Sequence, residues 1–380
     1  MPKCLHFKNQ IFIEPNGLTT YCCEGVPHNT PPRKLFDLNN WNEKRTYELD
    51  LFNKSKTGWL TECLLCKYNE DKFGYSMRTG TKHCMSLYPQ DDSNHIIKAI
   101  IKTSNLCNLA CRMCSPDLST TWQHNIKENS NNEFYKDVDK YKLIEISKKQ
   151  LELLKKHVLT EHLRFLVFSG GEVLLSEHNY KIMQYLLEMG YHNMEVHITT
   201  NGTTKIKDAW LESANKFKQF NLEVSIDGAG SVYNYIRAGG DWNTLIDVIT
   251  YTKQVAPNIN WIFNYVAQAL NAHSIKNDEE QIMELFHDVR LDAGGFTDHV
   301  SICYSEPEDS YAVIHPTFRK KYGIEHWADT FEYDPTIFAT FMRKQSWLDN
   351  MHGTSLEELN PDFFNEDIYP KQAIDEYRRN

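Results

Sequence analysis

Three cysteines in one short stretch are the residues of this sequence best suited to chemistry. Cys107, Cys111 and Cys114 have the spacing C-x3-C-x2-C. Three thiolates from one loop suit three irons of a [4Fe–4S] cube and leave its fourth iron open to a cofactor or a substrate. A structural zinc site is the alternative, but it would need a fourth ligand, and His124 is the only Cys or His in the fifteen residues that follow. The spacing therefore predicts an iron–sulfur cluster with one open iron.

A second group of cysteines lies in the first 90 residues. Cys4 and Cys22 lie on either side of a turn signal at Gly17, and Cys63 and Cys66 form a C-x2-C pair. Four such thiolates suit either a second [4Fe–4S] cluster or a structural zinc ion. The spacing alone leaves both interpretations open.

The composition excludes some functions. The chain has 380 residues and a formal net charge of −10, from 51 acidic and 41 basic residues. A broad basic surface for nucleic acid is therefore disfavoured. No apolar run is long enough to span a membrane, and the first residues lack the apolar core of a secretory signal. We expect a cytoplasmic protein whose ten cysteines do not form disulfides, and the spacing of the cysteines indicates metal binding.

Alternating strand and helix patterns begin near residue 96 and must position the three-cysteine loop. Apolar, β-branched runs predict strands at His95–Thr103, Leu163–Phe168, Met194–Thr199, Leu222–Ile226, Asn260–Val266 and His299–Tyr304. Amphipathic stretches predict helices at Lys142–Val158, Ser176–Met189 (with Ser176 as N-cap), Ile206–Phe217, Trp242–Val255 and Ile275–Val289. This alternation predicts an α/β fold in which six units form a partial (β/α)6 barrel with a parallel sheet. The three-cysteine loop follows the first strand, and the C-terminal ends of strands are the active face of such barrels.

The predicted barrel occupies residues 93–305 and has a flanking region on each side. Residues 1–92 contain turn signals and little helical periodicity, which predicts a small loop-rich module that binds metal. Residues 306–380 contain helical stretches interrupted by prolines. We predict that they form a helical extension that covers the barrel.

Polar motifs follow the next three predicted strands. A Gly-Gly-Glu motif, formed by Gly170, Gly171 and Glu172, follows the second strand. Two glycines let a backbone approach a ligand closely, and a carboxylate suits an ammonium group. Asn201 follows the third strand, and Ser225 lies at the end of the fourth.

This order of motifs resembles that of the radical S-adenosylmethionine (SAM) superfamily over roughly residues 4–310. The resemblance implies that the three-cysteine loop holds the SAM cluster and that the Gly-Gly-Glu motif binds the methionyl amino group of SAM. Val173 stands where the commonest family form has proline. The resemblance further implies that Ser225 and Arg237 hold the ribose and carboxylate of SAM, that Val266 flanks the adenine, and that Asn201 belongs to the cofactor site.

The N-terminal cysteines resemble the auxiliary-cluster region of SPASM and twitch radical SAM enzymes, which has the pattern C-x(9–15)-G-x4-C followed by C-x2-C. This region normally follows the barrel, whereas here it precedes it, and the later C-x5-C-x3-C portion is missing. The resemblance therefore implies a rearranged twitch-type enzyme with a single auxiliary [4Fe–4S] cluster. Its ligands would be Cys4, Cys22, Cys63 and Cys66, with Cys23 as an alternative to Cys22.

The resemblance implies a reaction. The reduced cluster would give one electron to SAM, and the resulting 5′-deoxyadenosyl radical would abstract a hydrogen atom from a peptide or protein, leading to a crosslink, an epimerisation or an oxidation. A reductase or flavodoxin-type protein would supply the electron. The alternatives are a radical SAM enzyme acting on a small metabolite or nucleotide, and a non-enzymatic iron–sulfur electron-transfer protein.

Residues beyond the cofactor motifs are further candidates. Cys303, at the end of the predicted sixth strand, would be a hydrogen-atom donor, and Asp227 a catalytic acid or base. Further candidates for proton transfer or for lining the pocket are Tyr304, His315, Gln268 and Asn271. Cys84 has no predicted role.

Overall fold

A computed structural model describes most of the chain, namely residues 4–22, 34–74, 76, 78–80, 94–130, 133–287, 290–292, 301–302, 310–325 and 332–379. The chain divides into two compact units. The first takes the chain up to Asn105 together with Ile144–Thr199 and Lys207–Asn221. The second takes Leu106–Leu143, Thr200–Ile206 and the chain from Leu222 onward.

The strands and helices of the described residues alternate through most of the chain. The strands are β1 (Gln10–Ile13), β2 (Leu18–Thr20), β3 (Phe36–Asp37), β4 (Lys98–Ile101), β5 (Phe165–Phe168), β6 (Glu195–Thr200), β7 (Gln219–Ser225), β8 (Asn260–Asn264), β9 (Val266–Ala267), β10 (Arg290–Asp292) and β11 (Ser301–Ile302). The α-helices are α1 (His6–Asn9), α2 (Trp41–Ser55), α3 (Leu64–Phe73), α4 (Thr120–Glu128), α5 (Lys148–His157), α6 (Glu177–Glu188), α7 (Asp208–Ala214), α8 (Gly230–Ile236), α9 (Trp242–Val255), α10 (Ile275–Leu285), α11 (Pro316–Tyr322), α12 (Pro335–His352), α13 (Leu356–Leu359) and α14 (Lys371–Arg379).

The first unit contains a mostly parallel sheet with the strand order β6-β5-β4-β1-β2-β3. The strands β1, β4, β5 and β6 run parallel, and β2 and β3 are added antiparallel at one edge. All four residues of β1 are buried, and Ile13 lies opposite Ile101 of β4. The N-terminal segment thus contributes strands to the same sheet as the first strand of the predicted barrel.

Residues 34–74 hold more helix than the sequence predicts. The helix α2 has 15 residues, yet its buried face includes a Lys44–Glu48 ion pair whose side chains are 0% and 1% exposed. Arg45 also pairs with Glu48, at 2.7 Å, and donates to the carbonyl of Lys8. Because charged residues occupy buried positions, the apolar periodicity that indicates a helix is absent there.

The helix predicted at Lys142–Val158 begins later, at Lys148. Ser147 forms a capping box with Gln150, in which each side chain accepts a hydrogen bond from the other residue's backbone N–H. This pair fixes the helix start. The residues before it are extended, and the backbone N–H of Ile146 donates to the carbonyl of Thr103 at 2.8 Å.

The second unit contains the strand order β10-β8-β7, and β7 itself begins in the first unit. The strand β10 runs parallel to β8, with Leu291 opposite Phe263. The predicted fifth strand is interrupted at Tyr265, whose hydroxyl donates to Asp278, and Val266 belongs to the separate strand β9. The neighbour of β8 in the sheet is therefore β10 and not the predicted sixth strand. The predicted sixth strand contains β11, which pairs with β9.

The predicted α/β fold class with a mostly parallel sheet is confirmed. Strands β4 to β8 are each followed by at least one helix before the next sheet strand, as the sequence predicts. The described part of residues 310–379 contains the helices α11 to α14. Among the described residues, no helix combines the length and apolar composition needed to cross a membrane.

Candidate iron–sulfur and SAM site

The three-cysteine loop is held by residues at the start of α4. The hydroxyl of Thr120 accepts the backbone N–H of Cys107 at 3.1 Å and donates to its carbonyl at 3.0 Å. The indole Nε1 of the fully buried Trp122 donates to the carbonyl of Cys111 at 2.8 Å. The backbone N–H of Cys114 donates to the same carbonyl at 2.9 Å. These bonds fix the backbone at all three cysteines.

The three thiols lie close enough to influence one another. The pKa of Cys114 is raised to about 12, first by burial and then by Cys111 and Cys107. Burial also raises the pKa of Cys111, against the opposing effect of Arg237. Three thiols in one clamped loop are a donor set that fits three irons of a [4Fe–4S] cluster, whose positive charge would favour the thiolate form. In the described part of the chain, no three His, Cys, Asp or Glu side chains are grouped around a single-ion site.

Arg237 lies against the second cysteine of the loop. Its Nη1 donates to Sγ of Cys111 at 3.6 Å, and its Nη2 pairs with Asp227. Its Nε is buried and has no hydrogen-bond partner among the described residues. The Arg237 side chain is 13% exposed.

Asp227 occupies a strained backbone position behind Arg237. It is the only residue other than glycine with a positive φ, at 37°, among those described. Its side chain is fully buried, and Oδ1 accepts the backbone N–H of Val266 at 2.7 Å. Asn271 donates from Nδ2 to the carbonyls of Asp227 and Val266, at 3.1 and 2.9 Å. Ser225 lies two residues before Asp227, at the end of β7, and is half-buried.

Asn201 lies beside the first cysteine. Its Nδ2 lies 4.0 Å from Sγ of Cys107 and donates to Oδ1 of Asn108 at 2.8 Å. Its Oδ1 accepts the backbone N–H of Thr203 at 3.0 Å. The structure therefore brings together the three cysteines, Asn201, Asp227 and Arg237 within the second unit.

The Gly-Gly-Glu motif lies in the first unit, directly after β5. Gly170 and Gly171 have φ angles of 79° and 43°, which favour glycine. A Cβ at Gly170 would lie 2.8 Å from Cγ of Lys102. Glu172 is 1% exposed, and its Oε1 accepts the backbone N–H of Leu174 at 3.0 Å. The carboxylate is thus held by its own loop.

A stretch that covers the cysteine loop and most of these residues matches a known family. Residues 101–275 match the profile of the Radical SAM superfamily. These residues form a radical SAM domain. The superfamily consists of enzymes, and the domain implies a [4Fe–4S] cluster and SAM. No functionally curated protein is significantly similar to the chain.

Several solved structures are similar to the chain at low identity. The structure of anSMEcpe with bound AdoMet has 18% identity and a TM-score of 0.40, and the match covers 67% of this chain and 61% of that chain. Streptococcus suis SuiB bound to S-adenosylmethionine has 16% identity and a TM-score of 0.34, covering 76% and 61%. SuiB bound to the precursor peptide SuiA has 14% identity and a TM-score of 0.33, covering 82% and 69%. The match thus spans about six tenths of the first two of these chains.

Outside the radical SAM domain, the four N-terminal cysteines lie near one another in the first unit. Cys4, Cys22 and Cys63 contact one apolar cluster that also contains Phe7, Tyr21, Leu51 and Phe52. Burial raises the pKa of the Cys4 thiol to about 11, and Cys66 adds to this rise. Cys4, Cys22 and Cys63 thus share one cluster, and Cys66 lies close enough to affect Cys4. Among the described residues no group of three His, Cys, Asp or Glu side chains is arranged to hold a metal ion, so the second metal site stays a prediction.

The remaining candidates have other positions. Gln268 is fully buried, and neither polar atom of its amide has a hydrogen-bond partner among the described residues. His315 caps α11, where Nδ1 accepts the backbone N–H of Thr317 at 3.3 Å. Cys303, Tyr304, Cys23 and Cys84 lie outside the described residues, so the roles assigned to them stay predictions.

Sequence reasoning missed one residue of the domain. Arg112 lies between the second and third cysteines, is fully buried, and has its guanidinium 3.7 Å from the centre of the Tyr235 ring. Its partners lie more than 120 residues away in sequence. The only available signal was a charged residue inside an otherwise uncharged motif.

Proposed function

We propose that this protein is a radical SAM enzyme that reductively cleaves SAM at a [4Fe–4S] cluster bound by Cys107, Cys111 and Cys114. The observation that carries the proposal is the clamped three-cysteine loop with Arg237 hydrogen-bonded to Cys111. When bound, the cluster and SAM supply a 5′-deoxyadenosyl radical that removes a hydrogen atom from an unreactive C–H bond. The protein binds and orients SAM and the substrate, and it excludes water from the site.

The residues around the loop have distinct roles in this proposal. Arg237, whose Nε has no hydrogen-bond partner among the described residues, binds the SAM carboxylate, and Ser225 binds the ribose. Asp227 holds Arg237 in place rather than reacting itself, because its side chain is buried and engaged at both oxygens. Val266 flanks the adenine, and Asn201 orients the thiolate of Cys107.

The Gly-Gly-Glu motif supplies the binding site for the methionyl amino group. Gly170 and Gly171 have positive φ angles and no Cβ, so a ligand can approach their backbone carbonyl groups, which suit an ammonium. Glu172 adds a carboxylate, the natural partner of a cationic amine.

We further propose that Cys4, Cys22, Cys63 and Cys66 hold an auxiliary [4Fe–4S] cluster. The support is the number of thiols, the apolar cluster that Cys4, Cys22 and Cys63 share, and the resemblance of their spacing to twitch enzymes. A zinc ion is the competing occupant, and metal analysis separates the two.

The proposed substrate is a peptide or protein. Its support is the resemblance of the N-terminal cysteine pattern to SPASM and twitch enzymes, which often modify ribosomally made peptides. A reductase or flavodoxin-type protein would supply electrons. A small metabolite is the second candidate. Deuterium-labelled candidates of each class discriminate between the two, because deuterium is transferred into 5′-deoxyadenosine only from the true substrate.

The binding part of this proposal is tested by electron paramagnetic resonance of the reduced, iron-loaded protein. SAM added to a cluster with an open iron should change its g values, because SAM becomes a ligand of that iron. The Cys111→Ser variant should lose the SAM-responsive signal, whereas Cys66→Ser should retain it. A wild-type spectrum that does not change with saturating SAM would reject SAM binding at the cluster.

A further inference from the structure

Arg112 is fixed by partners from three separate parts of the second unit. Its Nε donates to the carbonyl of Tyr235 at 2.9 Å, and Nη1 donates to Oε1 of Gln345 at 2.9 Å. Its Nη2 donates to Oδ1 of Asp349 at 2.6 Å and to Oγ1 of Thr354 at 2.5 Å. A planar guanidinium bound on all of these sides has a single orientation.

Asp349, on α12, connects this arginine to the end of the chain. Besides Arg112, its carboxylate accepts the hydroxyl of Tyr377 at 2.6 Å and that of Tyr235 at 3.3 Å. It also accepts the backbone N–H of Leu356 at 2.8 Å, at the start of α13. The carboxylate therefore links α12, α13 and α14 to a residue of the three-cysteine loop.

Two backbone hydrogen bonds, one on each side of Cys111, connect the position of Arg112 to the cluster site. The N–H of Arg112 donates to the carbonyl of Ile236, and the N–H of Ala110 donates to that of Ala238, both at 2.9 Å. These bonds set Cys111 opposite Arg237, where Nη1 lies 3.6 Å from Sγ. The side-chain bonds of Arg112 and these two backbone bonds thus hold the same short segment that carries Cys111.

We infer that Asp349 is a positioning residue of the cluster site: it orients Arg112, which keeps Cys111 and Arg237 aligned for SAM. The inference rests on the proposed function. Residues behind the ligands of a metal site commonly change metal affinity or activity by about 10- to 100-fold when they are replaced. Asp349, together with Gln345 on the same helix, accordingly connects the C-terminal helices to the proposed SAM site.

The test uses the Asp349→Asn variant of the full-length, iron-loaded protein. Asparagine has nearly the same size but lacks the charge that pairs with Arg112. We expect the iron content to be retained, the reduced-cluster spectrum to change, and the KM for SAM to rise roughly tenfold with a smaller effect on kcat. The Arg378→Gln variant is the matched control, because Arg378 lies on α14 and, within the described part of the chain, forms its ion pairs with the exposed Glu357 and Glu366. An Asp349→Asn variant whose reduced-cluster spectrum and KM for SAM equal those of the wild type would overturn the inference.

A milder variant covers the case in which Asp349→Asn does not fold. Thr354→Val removes one acceptor of Arg112 and one donor to Asp349, at 2.7 Å, without removing a charge. We expect changes of the same sign and smaller size, and an unchanged spectrum and KM would again reject the inference.

The spectrum of the reduced cluster before SAM is added does not depend on SAM cleavage. A wild-type protein that fails to cleave SAM would therefore refute the proposed function alone. A spectral change in Asp349→Asn, with none in Arg378→Gln, would still support the positioning role. Identical spectra in both variants and in the wild type would refute it.

Discussion

Arg237 donates a hydrogen bond to Cys111, with Nη1 3.6 Å from Sγ, while Asp227 pairs with the other end of the same guanidinium. A cationic donor at a cluster sulfur stabilises the more negative, reduced state. In the proposed site, Arg237 therefore donates to a ligand of the cluster, and its buried carboxylate partner Asp227 holds it in that position.

Replacing Arg237 by glutamine should lower the reduction potential of the cluster. A hydrogen bond from a charged donor contributes roughly 1.5 kcal/mol, which corresponds to about 60 mV for a one-electron couple. A redox titration followed by electron paramagnetic resonance, without SAM, measures the shift. Arg237→Lys keeps the charge and should show a smaller decrease. An unchanged or higher potential in Arg237→Gln would contradict the assignment.

Replacing Gly170 by alanine should damage the Gly-Gly-Glu loop beyond the ordinary strain of a left-handed residue. The added Cβ would lie 2.8 Å from the Lys102 side chain. Gly190 has nearly the same φ, 75° against 79°, but has open space around its Cβ position. Gly190→Ala should cost about 1 kcal/mol of unfolding free energy, whereas Gly170→Ala should cost more and also weaken SAM binding. Equal effects of the two substitutions on SAM affinity would argue against a role for the loop.

Replacing Cys66 by serine should remove the auxiliary cluster but not the SAM cluster. The wild type should contain about eight irons per chain, and the variant about four, because each cube holds four. Iron and sulfide analysis of anaerobically reconstituted protein measures both. Cys111→Ser is the reciprocal variant, and it should also retain about four irons but lose SAM cleavage. One zinc and about four irons in the wild type would identify the N-terminal site as zinc.

The stability of the second unit should depend on the protonation of Asp278. Burial raises the pKa of this carboxyl to about 6, against the opposing effect of hydrogen bonds from Ser274, Tyr265 and the backbone N–H of Ala229. The folded state therefore holds the proton more tightly, and the stabilisation is complete below the ordinary pKa of 3.8 and is lost as the pH rises through 6.

The comparison with Asp278→Asn isolates this carboxyl, because asparagine cannot titrate. From about pH 7 to about pH 5, the wild type should gain roughly 1 kcal/mol of unfolding free energy relative to the variant. Urea unfolding of both proteins at the two pH values measures the difference. A gap between the two proteins that is the same at both pH values would show that Asp278 is already ionised in the folded state.

Much of the site was predictable because its parts are short-range patterns. The Cys107–Cys114 loop, the Gly-Gly-Glu motif and the polar residues after β6 and β7 each follow a strand, and strand ends are read from β-branched runs. The start of α5 at Lys148 could also have been predicted, since Ser147 and Gln150 have the spacing of a capping box.

The remainder depended on long-range contacts. The helix α2 was missed because Lys44 and Glu48 are buried as an ion pair, which removes the apolar pattern. The sheet strand after β8 was misplaced because Tyr265 interrupts the predicted fifth strand, and β9 pairs with β11 instead. Arg112 gave no local signal of its connection to Asp349, 237 residues further along the chain.

The formation of 5′-deoxyadenosine tests the central claim most directly. The anaerobically iron-loaded protein is mixed with dithionite and SAM, and 5′-deoxyadenosine and methionine are quantified over time. The account predicts that both products form in equal amounts with the wild type and are absent with Cys111→Ser. A wild-type protein with a fully loaded, reducible cluster that releases no 5′-deoxyadenosine would contradict it.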